Sequence, residues 1–588
     1  MLCAVTALAL VLHSAAHPMR THSLFGFALL VGACSETTTG TPVTDASVDM
    51  TADTATDASS DTGGPTCTVP TPTDPVVART DRGLVRGAME GEALHWLGIP
   101  FAEPPTGANR WRPPVAGTAC WMGERDATMW TPACPQIPQQ QGQPFDPMAP
   151  MEGQEDCLTL NVWRPANAPA DAALPVMVFV HGGGNTAGSA SNLSPAGTRI
   201  YDGTRLAARG NVVVVTIQYR IGALGWLVHP ALEGEMGASA GNLALLDQVA
   251  ALRWVQRNIR GFRGDPARVM LFGESAGAVN TCALVASPLA AGLFSRALMQ
   301  SGSCLATQTV EAARAQGVMY AQAAGCASAP DAAACMRALS TEAAVRALAA
   351  PVDVSGLGAS TVRWGPVVSA PALPTRPFEA MLTGAHNRVP VVVGHNTEEV
   401  GLTVPAVPTE AAYRGLLTQV GGAAFANQVI ALYPVATYGT PRAALVQAFT
   451  DARFGCGARL AARAAARGQP GVNVYRYLYA HALEGSTATV RALGAWHGLE
   501  LAYVFQNVAQ GMITPTDNDR AVERAMLGYW TRFAATGDPN GAGAPAWPAY
   551  ATGEPLLRIG ATPTVERAWR NAECDAWDMV SRATAPAP

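Results

Sequence analysis

Short apolar runs rich in β-branched residues alternate with longer amphipathic stretches from about residue 76 to about residue 582. The apolar runs predict strands at six places: 174–180, 211–217, 268–272, 297–300, 389–393 and 472–479. Helices are predicted at 242–258 and 312–324. Continuous apolar strands separated by helices are typical of a parallel sheet that is buried on both faces. The pattern predicts one α/β domain over 76–582, with a large, mostly parallel central sheet and helices on both faces.

A different pattern precedes this domain. A positively charged segment begins at Met19, and an apolar run at 23–33 follows it and ends in small residues before Cys34. This order is typical of an export signal. A cysteine directly after Val-Gly-Ala resembles a bacterial lipobox, which implies a cell-envelope lipoprotein lipidated at Cys34. The alternative is a cleaved signal peptide of a secreted protein. Residues 1–34 are therefore predicted to be an export segment, whether translation starts at Met1 or at Met19.

Residues 35–75 are rich in Thr, Ser, Asp, Gly and Pro and nearly lack large apolar side chains. Such a segment cannot bury enough apolar surface to offset the conformational entropy that it would lose on folding. We interpret it as a disordered tether between the export segment and the domain.

The composition narrows the functional classes. Hydrophobic residues make up 49% of the 588 residues, so the chain can bury a large core. The net charge of -5 gives no electrostatic argument for nucleic-acid binding. Twelve cysteines are many for a cytosolic enzyme and favour an oxidising compartment.

A candidate nucleophile lies in Gly273-Glu274-Ser275-Ala276-Gly277, which fits the Gly-x-Ser-x-Gly nucleophile elbow. The chain matches the same pattern around Ser239, so the motif alone is weak evidence. Only Ser275 follows a predicted strand and precedes a helix-compatible segment, as the elbow requires. We therefore expect Ser275 to be the nucleophile and Ser239 to be a loop serine.

A glycine-rich turn, His181-Gly182-Gly183-Gly184, follows the strand predicted at 174–180. Acyl transfer needs N–H donors that point at a developing oxyanion, and consecutive glycines let the backbone present them. The residue after the nucleophile, Ala276, is expected to supply another donor.

The base and the acid are less clear from the residues themselves. The order of serine, acid and histidine along the chain leaves His481 and His497, and local reasoning does not choose between them. The acid should follow the strand at 389–393, where Glu398 and Glu399 are adjacent. Spacing cannot separate two neighbouring carboxylates.

Several motifs together resemble the type-B carboxylesterase, or cholinesterase-like, family over residues 80–577. They are Gly83-Leu-Val-Arg-Gly87, Leu97-Gly-Ile-Pro-Phe-Ala-Glu-Pro-Pro105, Glu155-Asp-Cys-Leu-Thr-Leu-Asn-Val162 and Asn258-Ile-Arg-Gly-Phe-Arg-Gly-Asp-Pro266. The resemblance implies an α/β-hydrolase fold with helical insertions over the site. It implies a serine esterase that needs no metal or cofactor and acts on small-molecule esters.

The resemblance also assigns roles. His497, in His-Gly-x-Glu, is implied as the base, Glu399 as the acid, and Gly183, Gly184 and Ala276 as oxyanion donors. Three disulfides are implied as well: Cys134–Cys157, Cys326–Cys335 and Cys456–Cys574. Four cysteines have no implied partner: Cys67, Cys120, Cys282 and Cys304. We expect Cys282 to be a buried thiol.

The chain departs from the family pattern near the site. Asn185 replaces the aromatic residue usual after the glycines, and Val400 replaces the glycine usual after the acid. These departures leave the natural ester and the acyl chain length open. Lipase-like action on longer acyl chains and a non-catalytic surface-binding role are the alternatives to a carboxylesterase.

Overall fold

The computed structural model describes residues 67–584, apart from 195–196, 237–239, 359 and 511–512. The predicted export segment with Cys34, most of the predicted tether, and Ser239 lie outside the described residues.

The described part of the chain holds sixteen strands, β1 to β16 in chain order: Val77–Thr80, Gly83–Arg86, Ala88–Glu90, Ala93–Pro100, Glu124–Asp126, Thr159–Pro165, Leu174–Val180, Val213–Ile217, Gly264–Glu274, Arg296–Gln300, Gln308–Thr309, Val367–Val368, Val391–Asn396, Val474–Tyr479, Pro555–Ile559 and Thr564–Arg567.

It also holds seventeen α-helices, α1 to α17: Thr204–Gly210, Gly222–Trp226, Pro230–Met236, Leu243–Asn258, Ala276–Ala286, Val310–Ala323, Ala332–Ala338, Thr341–Arg346, Pro377–Thr383, Glu410–Leu432, Val435–Tyr438, Pro441–Thr450, Cys456–Gly468, Ala488–Arg491, Glu500–Val504, Asp517–Thr536 and Asn571–Thr584. A π-helical turn, Asp451–Gly455, joins α12 to α13.

Eleven strands form the central sheet in the order β16-β15-β14-β13-β10-β9-β7-β8-β6-β4-β3. The strands from β15 to β8 in this order run parallel to their neighbours, and antiparallel pairs lie at both edges. The predicted mostly parallel sheet is confirmed. Because the parallel strands end on one side, the segments that follow β7, β9, β13 and β14 meet at one edge.

Both faces of the sheet are covered. Along β7 every residue is buried, and alternate side chains enter different cores. Val178 belongs to the core beneath α4 and α5, whereas Phe179 belongs to the core that contains Trp530 of α16. This alternation explains why β7 reads as one continuous apolar run.

The predicted strand at 389–393 differs from the observed one in a way that has a local cause. Strand β13 begins at Val391, after Pro390, since proline has no N–H to donate to a neighbouring strand. It then continues to Asn396, where it still pairs with Tyr479 of β14. The extension matters because it carries the sheet to within three residues of Glu399.

Five disulfides hold the described chain together. The three implied pairs are formed: Cys134–Cys157, Cys326–Cys335 and Cys456–Cys574. Two further pairs are Cys67–Cys120 and Cys282–Cys304. Disulfides of this number indicate an extracellular or secreted protein.

The expectation that Cys282 is a free buried thiol is wrong. Its side chain is fully buried in α5, but it is bonded to Cys304. The N–H of Ser275 donates to the carbonyl of Gln300, so the chain that leaves β10 runs beside α5. The Cα atoms of the two cysteines are therefore 5.3 Å apart, a separation typical of disulfides.

The folded part begins before the predicted boundary at residue 76. Cys67 is buried and bonded to Cys120, and its N–H donates to Asp81 at 2.9 Å. The final residues of the predicted tether are thus attached to the domain.

Candidate active site

Ser275 lies in the sharp turn between β9 and α5. Its φ of 56° and ψ of -123° are unusual for a residue other than glycine. The first turn of α5 supports this conformation, because the Ser275 carbonyl accepts hydrogen bonds from Ala278 and Val279 at 3.0 and 3.1 Å. Strain of this kind is typical of functional sites. The turn leaves Ser275 partly exposed between two buried elements.

The glycines of the elbow are needed for close packing. A Cβ atom at Gly277 would collide with the carbonyl oxygen of Val180 at the end of β7. The elbow therefore lies directly against the start of the glycine-rich turn. This contact brings Ser275 beside Gly182, whose own Cβ would lie 2.9 Å from the Cβ of Ser275.

The glycine-rich turn presents free donors. Gly183 has a φ of 104°, and its carbonyl accepts hydrogen bonds from Thr186 and Ala187, which hold the turn in place. Neither Gly183 nor Gly184 donates its N–H to another group in the part of the chain that the structure describes. Ala276 is the first residue of α5, where helical N–H groups have no intrahelical acceptor. Gly183, Gly184 and Ala276 are the three residues that the sequence resemblance implies as oxyanion donors.

His497 and Glu399 are hydrogen-bonded. The Nδ1 of His497 lies 2.7 Å from Oε2 of Glu399, and the backbone N–H of His497 donates to the carbonyl of Glu399 at 3.0 Å. Oε1 of Glu399 accepts the N–H of Asn396 at 2.7 Å. Glu399 is fully buried and His497 is 6% exposed. The imidazole is therefore fixed with its Nε2 edge turned away from this carboxylate.

The neighbouring carboxylate points elsewhere. Oε2 of Glu398 accepts hydrogen bonds from the N–H of Ala495, at 2.8 Å, and from the hydroxyl of Thr397. Glu398 thus holds the backbone of the loop that carries His497, whereas Glu399 contacts the ring.

The other candidate histidine is engaged in a separate network. Nε2 of His481 lies 2.8 Å from Oδ1 of Asp519, and the same carboxylate accepts the hydroxyl of Tyr503 at 2.8 Å. His481 therefore does not join Glu399 in the structure.

Glu274, the residue before Ser275, faces the imidazole. Its Oε1 lies 3.2 Å from Nε2 of His497. Nε2 forms no hydrogen bond with any described residue, Ser275 included. Glu274 thus brings the elbow into contact with the imidazole, whereas the Ser275 hydroxyl forms no hydrogen bond with Nε2 in this structure. Such bonds are often long in ligand-free enzymes and tighten when substrate binds.

Three buried carboxyl groups surround His497, and they shift its protonation. Burial raises the pKa of Glu274 to about 8 and that of Glu500 to about 7. Burial alone would lower the pKa of His497, but the carboxylates of Glu274 and Glu399 outweigh it and raise the pKa to about 9.

Asn396 and Phe454 fix this arrangement from two sides. The side-chain amide of Asn396 donates to Oε2 of Glu500 at 2.6 Å and to the carbonyl of Trp496 at 2.8 Å. The ring of Phe454, in the π-helical turn, packs on His497 with ring centroids 5.0 Å apart. Sequence reasoning assigned no role to Glu274, Asn396 or Phe454.

No group of three or more His, Cys, Asp or Glu side chains among the described residues could hold a metal ion. The site instead combines a strained serine, an oriented imidazole and free backbone donors.

Comparisons with known sequences and structures identify the family of this chain. The sequence profile of the carboxylesterase family matches residues 74–577. Carboxylesterase 1C of Rattus norvegicus is 33% identical over 538 residues, which cover 86% of this chain and 93% of the rat protein. Carboxylesterase EST55 of Geobacillus stearothermophilus is 33% identical, with a TM-score of 0.69 over 85% of this chain and 100% of that chain. A PNB esterase is 30% identical, with a TM-score of 0.70 over 86% of this chain and 100% of its own. This chain belongs to the carboxylesterase family and is a carboxylic ester hydrolase of the α/β-hydrolase fold.

Proposed function

We propose that Ser275, His497 and Glu399 form the catalytic triad of this esterase. The observation that carries the proposal is the 2.7 Å contact between Nδ1 of His497 and Glu399, with Nε2 left unbonded on the side of the elbow. Glu399 then holds the tautomer in which Nε2 is free to accept a proton.

In the first half-reaction, Oγ of Ser275 attacks the ester carbonyl carbon while Nε2 of His497 takes the hydroxyl proton. The tetrahedral intermediate collapses, and its C–O bond to the alcohol breaks. His497 returns the proton to the leaving alkoxide oxygen. The product is an acyl-enzyme on Ser275 and a free alcohol.

In the second half-reaction, water attacks the acyl-enzyme carbonyl and gives a proton to Nε2 of His497. Collapse breaks the bond to Oγ, which recovers the proton, and the carboxylic acid leaves. The substrate supplies both the acid and the alcohol, so no co-reactant other than water is needed.

The N–H groups of Gly183, Gly184 and Ala276 are proposed to stabilise the oxyanion in both steps. Their support is that they are directed away from internal acceptors and lie beside the elbow. Removing one donor of this kind costs roughly 10² to 10³ in kcat.

Labelling with a fluorophosphonate, followed by peptide mapping, tests the nucleophile. We expect one modified peptide, which contains Ser275, and stoichiometric loss of ester hydrolysis. The Ser275→Ala variant should be neither labelled nor active, whereas Ser239→Ala should behave like the wild type. Labelling at Ser239, or full activity in Ser275→Ala, would overturn the assignment.

We further propose that the enzyme is held at a bacterial cell envelope by lipid on Cys34, with residues 35–75 as a tether. The lipobox-like Val-Gly-Ala-Cys supports this, and so does the oxidising compartment that five disulfides require. In a bacterial host, Cys34→Ser should abolish incorporation of an alkyne fatty acid and move activity from the membrane fraction to the soluble fraction. Unchanged fractionation would refute the anchor.

A further inference from the structure

A buried basic cluster lies behind the π-helical turn, between β13, β14 and the segment that precedes α17. We define the basic cluster as three side chains and one carbonyl group: His395, Arg476, Trp569 and the carbonyl of Gly455. The proposed triad uses none of these groups.

Arg476 is the charged member of the cluster. It is completely buried within β14, and burial lowers its pKa to about 10, so the guanidinium stays charged at neutral pH. Its Nε and Nη1 have no hydrogen-bond partner among the described residues, and Nη2 reaches only the carbonyl of Gly455, at 3.5 Å. Buried N–H groups of a charged guanidinium are destabilising unless an acceptor reaches them.

His395 faces the same space. In the sheet it pairs with Leu478, while Arg476 pairs with Val393, so the two side chains stand two residues apart on one face. His395 is completely buried, and neither ring nitrogen has a partner among the described residues. Burial, reinforced by Arg476, holds its pKa well below the usual value, so the ring is neutral and offers one N–H.

The surrounding groups close the cluster on its other sides. Trp569 packs over both members, with its ring 5.3 Å from the His395 ring and 6.0 Å from the Arg476 guanidinium carbon. Gly455 allows the backbone to approach, since a Cβ there would lie 2.9 Å from Nε2 of His395.

The nearby carboxylates are already engaged. Glu554 forms a two-point ion pair with Arg459, with Nε to Oε2 at 2.5 Å and Nη2 to Oε1 at 3.0 Å. Asp451 accepts hydrogen bonds from Gln447 at 2.7 Å and from Tyr433 at 3.0 Å. Both carboxylates attract Arg476 from a distance, but neither forms a contact ion pair with it in the described structure.

We propose that the basic cluster binds a small monovalent inorganic anion, such as chloride, between Arg476 and His395. Two N–H groups of Arg476 and the N–H of His395 are the donors. Such an ion satisfies three donors at once and places a negative charge in contact with the guanidinium. A cation is excluded by the guanidinium, and a neutral water molecule would bring no negative charge into contact with it. The site is independent of the proposed triad.

The first test is thermal unfolding of the full chain in sodium chloride, at constant ionic strength with sodium gluconate as the balancing salt. Gluconate is too large for a buried site. The wild-type Tm should rise by about 2 °C or more as chloride increases from about 1 to about 100 mM, because the ion binds only the folded state. The matched control is Arg476→Met, which replaces the cation with an apolar chain, and its Tm should not depend on chloride.

The second test needs no variant and therefore stands even if Arg476→Met does not fold. Wild-type crystals soaked in sodium bromide should show a bromine anomalous peak within hydrogen-bond distance of Arg476 and His395. Ordered water in place of bromine would overturn the proposal. An equal response to chloride in the wild type and in Arg476→Met would overturn it as well. Loss of esterase activity in Ser275→Ala bears on neither outcome.

Discussion

Two buried histidine–carboxylate pairs of the described structure, His497–Glu399 and His481–Asp519, have nearly the same nitrogen–oxygen distance, 2.7 and 2.8 Å. Their surroundings differ. Asp519 is held at the start of α16 by neutral donors, which include the N–H groups of Gly485 and Thr516 at 2.9 Å. These donors and His481 outweigh burial and lower the pKa of Asp519 to about 2.

Around His497, by contrast, buried hydrogen-bond acceptors outnumber donors. Glu274 and Glu500 are buried beside it, both with a raised pKa, and the ring keeps one nitrogen unbonded. A saturated carboxylate fixes a helix end and a loop, whereas crowded carboxylates favour a proton on the imidazole. The comparison teaches that the length of a histidine–carboxylate hydrogen bond does not distinguish a proposed catalytic pair from a structural one. The two pairs differ in the hydrogen bonds made by the remaining carboxylate oxygens and by the other ring nitrogen.

The strongest test of whether the two pairs differ in function is to remove each imidazole. His497→Ala should lower kcat by about 10⁴ to 10⁶, because the proposed general base is lost. His481→Ala should retain kcat within about threefold, since His481 serves the fold. Steady-state hydrolysis of a short-chain ester measures both. A comparable loss in His481→Ala would mean that the two pairs are not functionally distinct.

Removing the acid should have a slightly smaller effect. Glu399→Gln should lower kcat by about 10³ to 10⁴, since the amide no longer stabilises the imidazolium or holds its tautomer. Glu398→Gln is the matched control at the adjacent position, where only the contacts with Ala495 and Thr397 are altered. We expect its kcat to stay within about threefold. If Glu398→Gln were the more damaged variant, the acid would be Glu398.

The His481–Asp519 pair should contribute to the free energy of unfolding. Asp519→Asn should lower the free energy of unfolding in urea by about 3 to 5 kcal/mol, because it breaks a buried hydrogen-bonded pair. The pKa of Asp519 is lowered to about 2, so its contribution is complete above the unfolded value and is lost as the pH falls toward 2. Wild type and variant should therefore converge in stability between about pH 4 and pH 2. Parallel curves over that range would contradict this role.

The smallest expected effect concerns protonation at the site. Glu274→Gln removes a negative charge 3.2 Å from Nε2, so the raised pKa of His497 should fall. The acidic limb of kcat/KM should move to lower pH by about one unit. A pH-stat assay with an ester of a non-ionising alcohol measures the limb. An unmoved limb would show that Glu274 does not act on His497.

Much of the fold was predictable because its central strands are continuous apolar runs. The strand predicted at 174–180 is found unchanged as β7. Strand β6 was not predicted, although all of its residues are buried, because Asn161 and Arg164 interrupt the apolar pattern. Asn161 is satisfied by hydrogen bonds to Gly98 and Thr216 of other segments, at 2.9 and 3.0 Å, which local sequence does not reveal.

The candidate site likewise contains residues that local sequence motifs predict and residues that only the folded structure reveals. The elbow and the glycine-rich turn are local motifs, so Ser275 and Gly183 could be found from short windows of sequence. Glu274 occupies a position where the motif accepts any residue, and its contact with His497 spans more than two hundred positions. The Cys282–Cys304 bridge was missed for a similar reason, since it depends on how β10 packs beside α5.

The order of strands in the central sheet has a consequence for biosynthesis. β14 lies between β13 and β15, so it can pair with both neighbours only after β15, Pro555–Ile559, has been synthesised. A growing polypeptide that has just completed Ser275 carries the proposed nucleophile but not yet His497, its proposed base. Ester cleavage should thus begin only when nearly the whole polypeptide has been translated and folded.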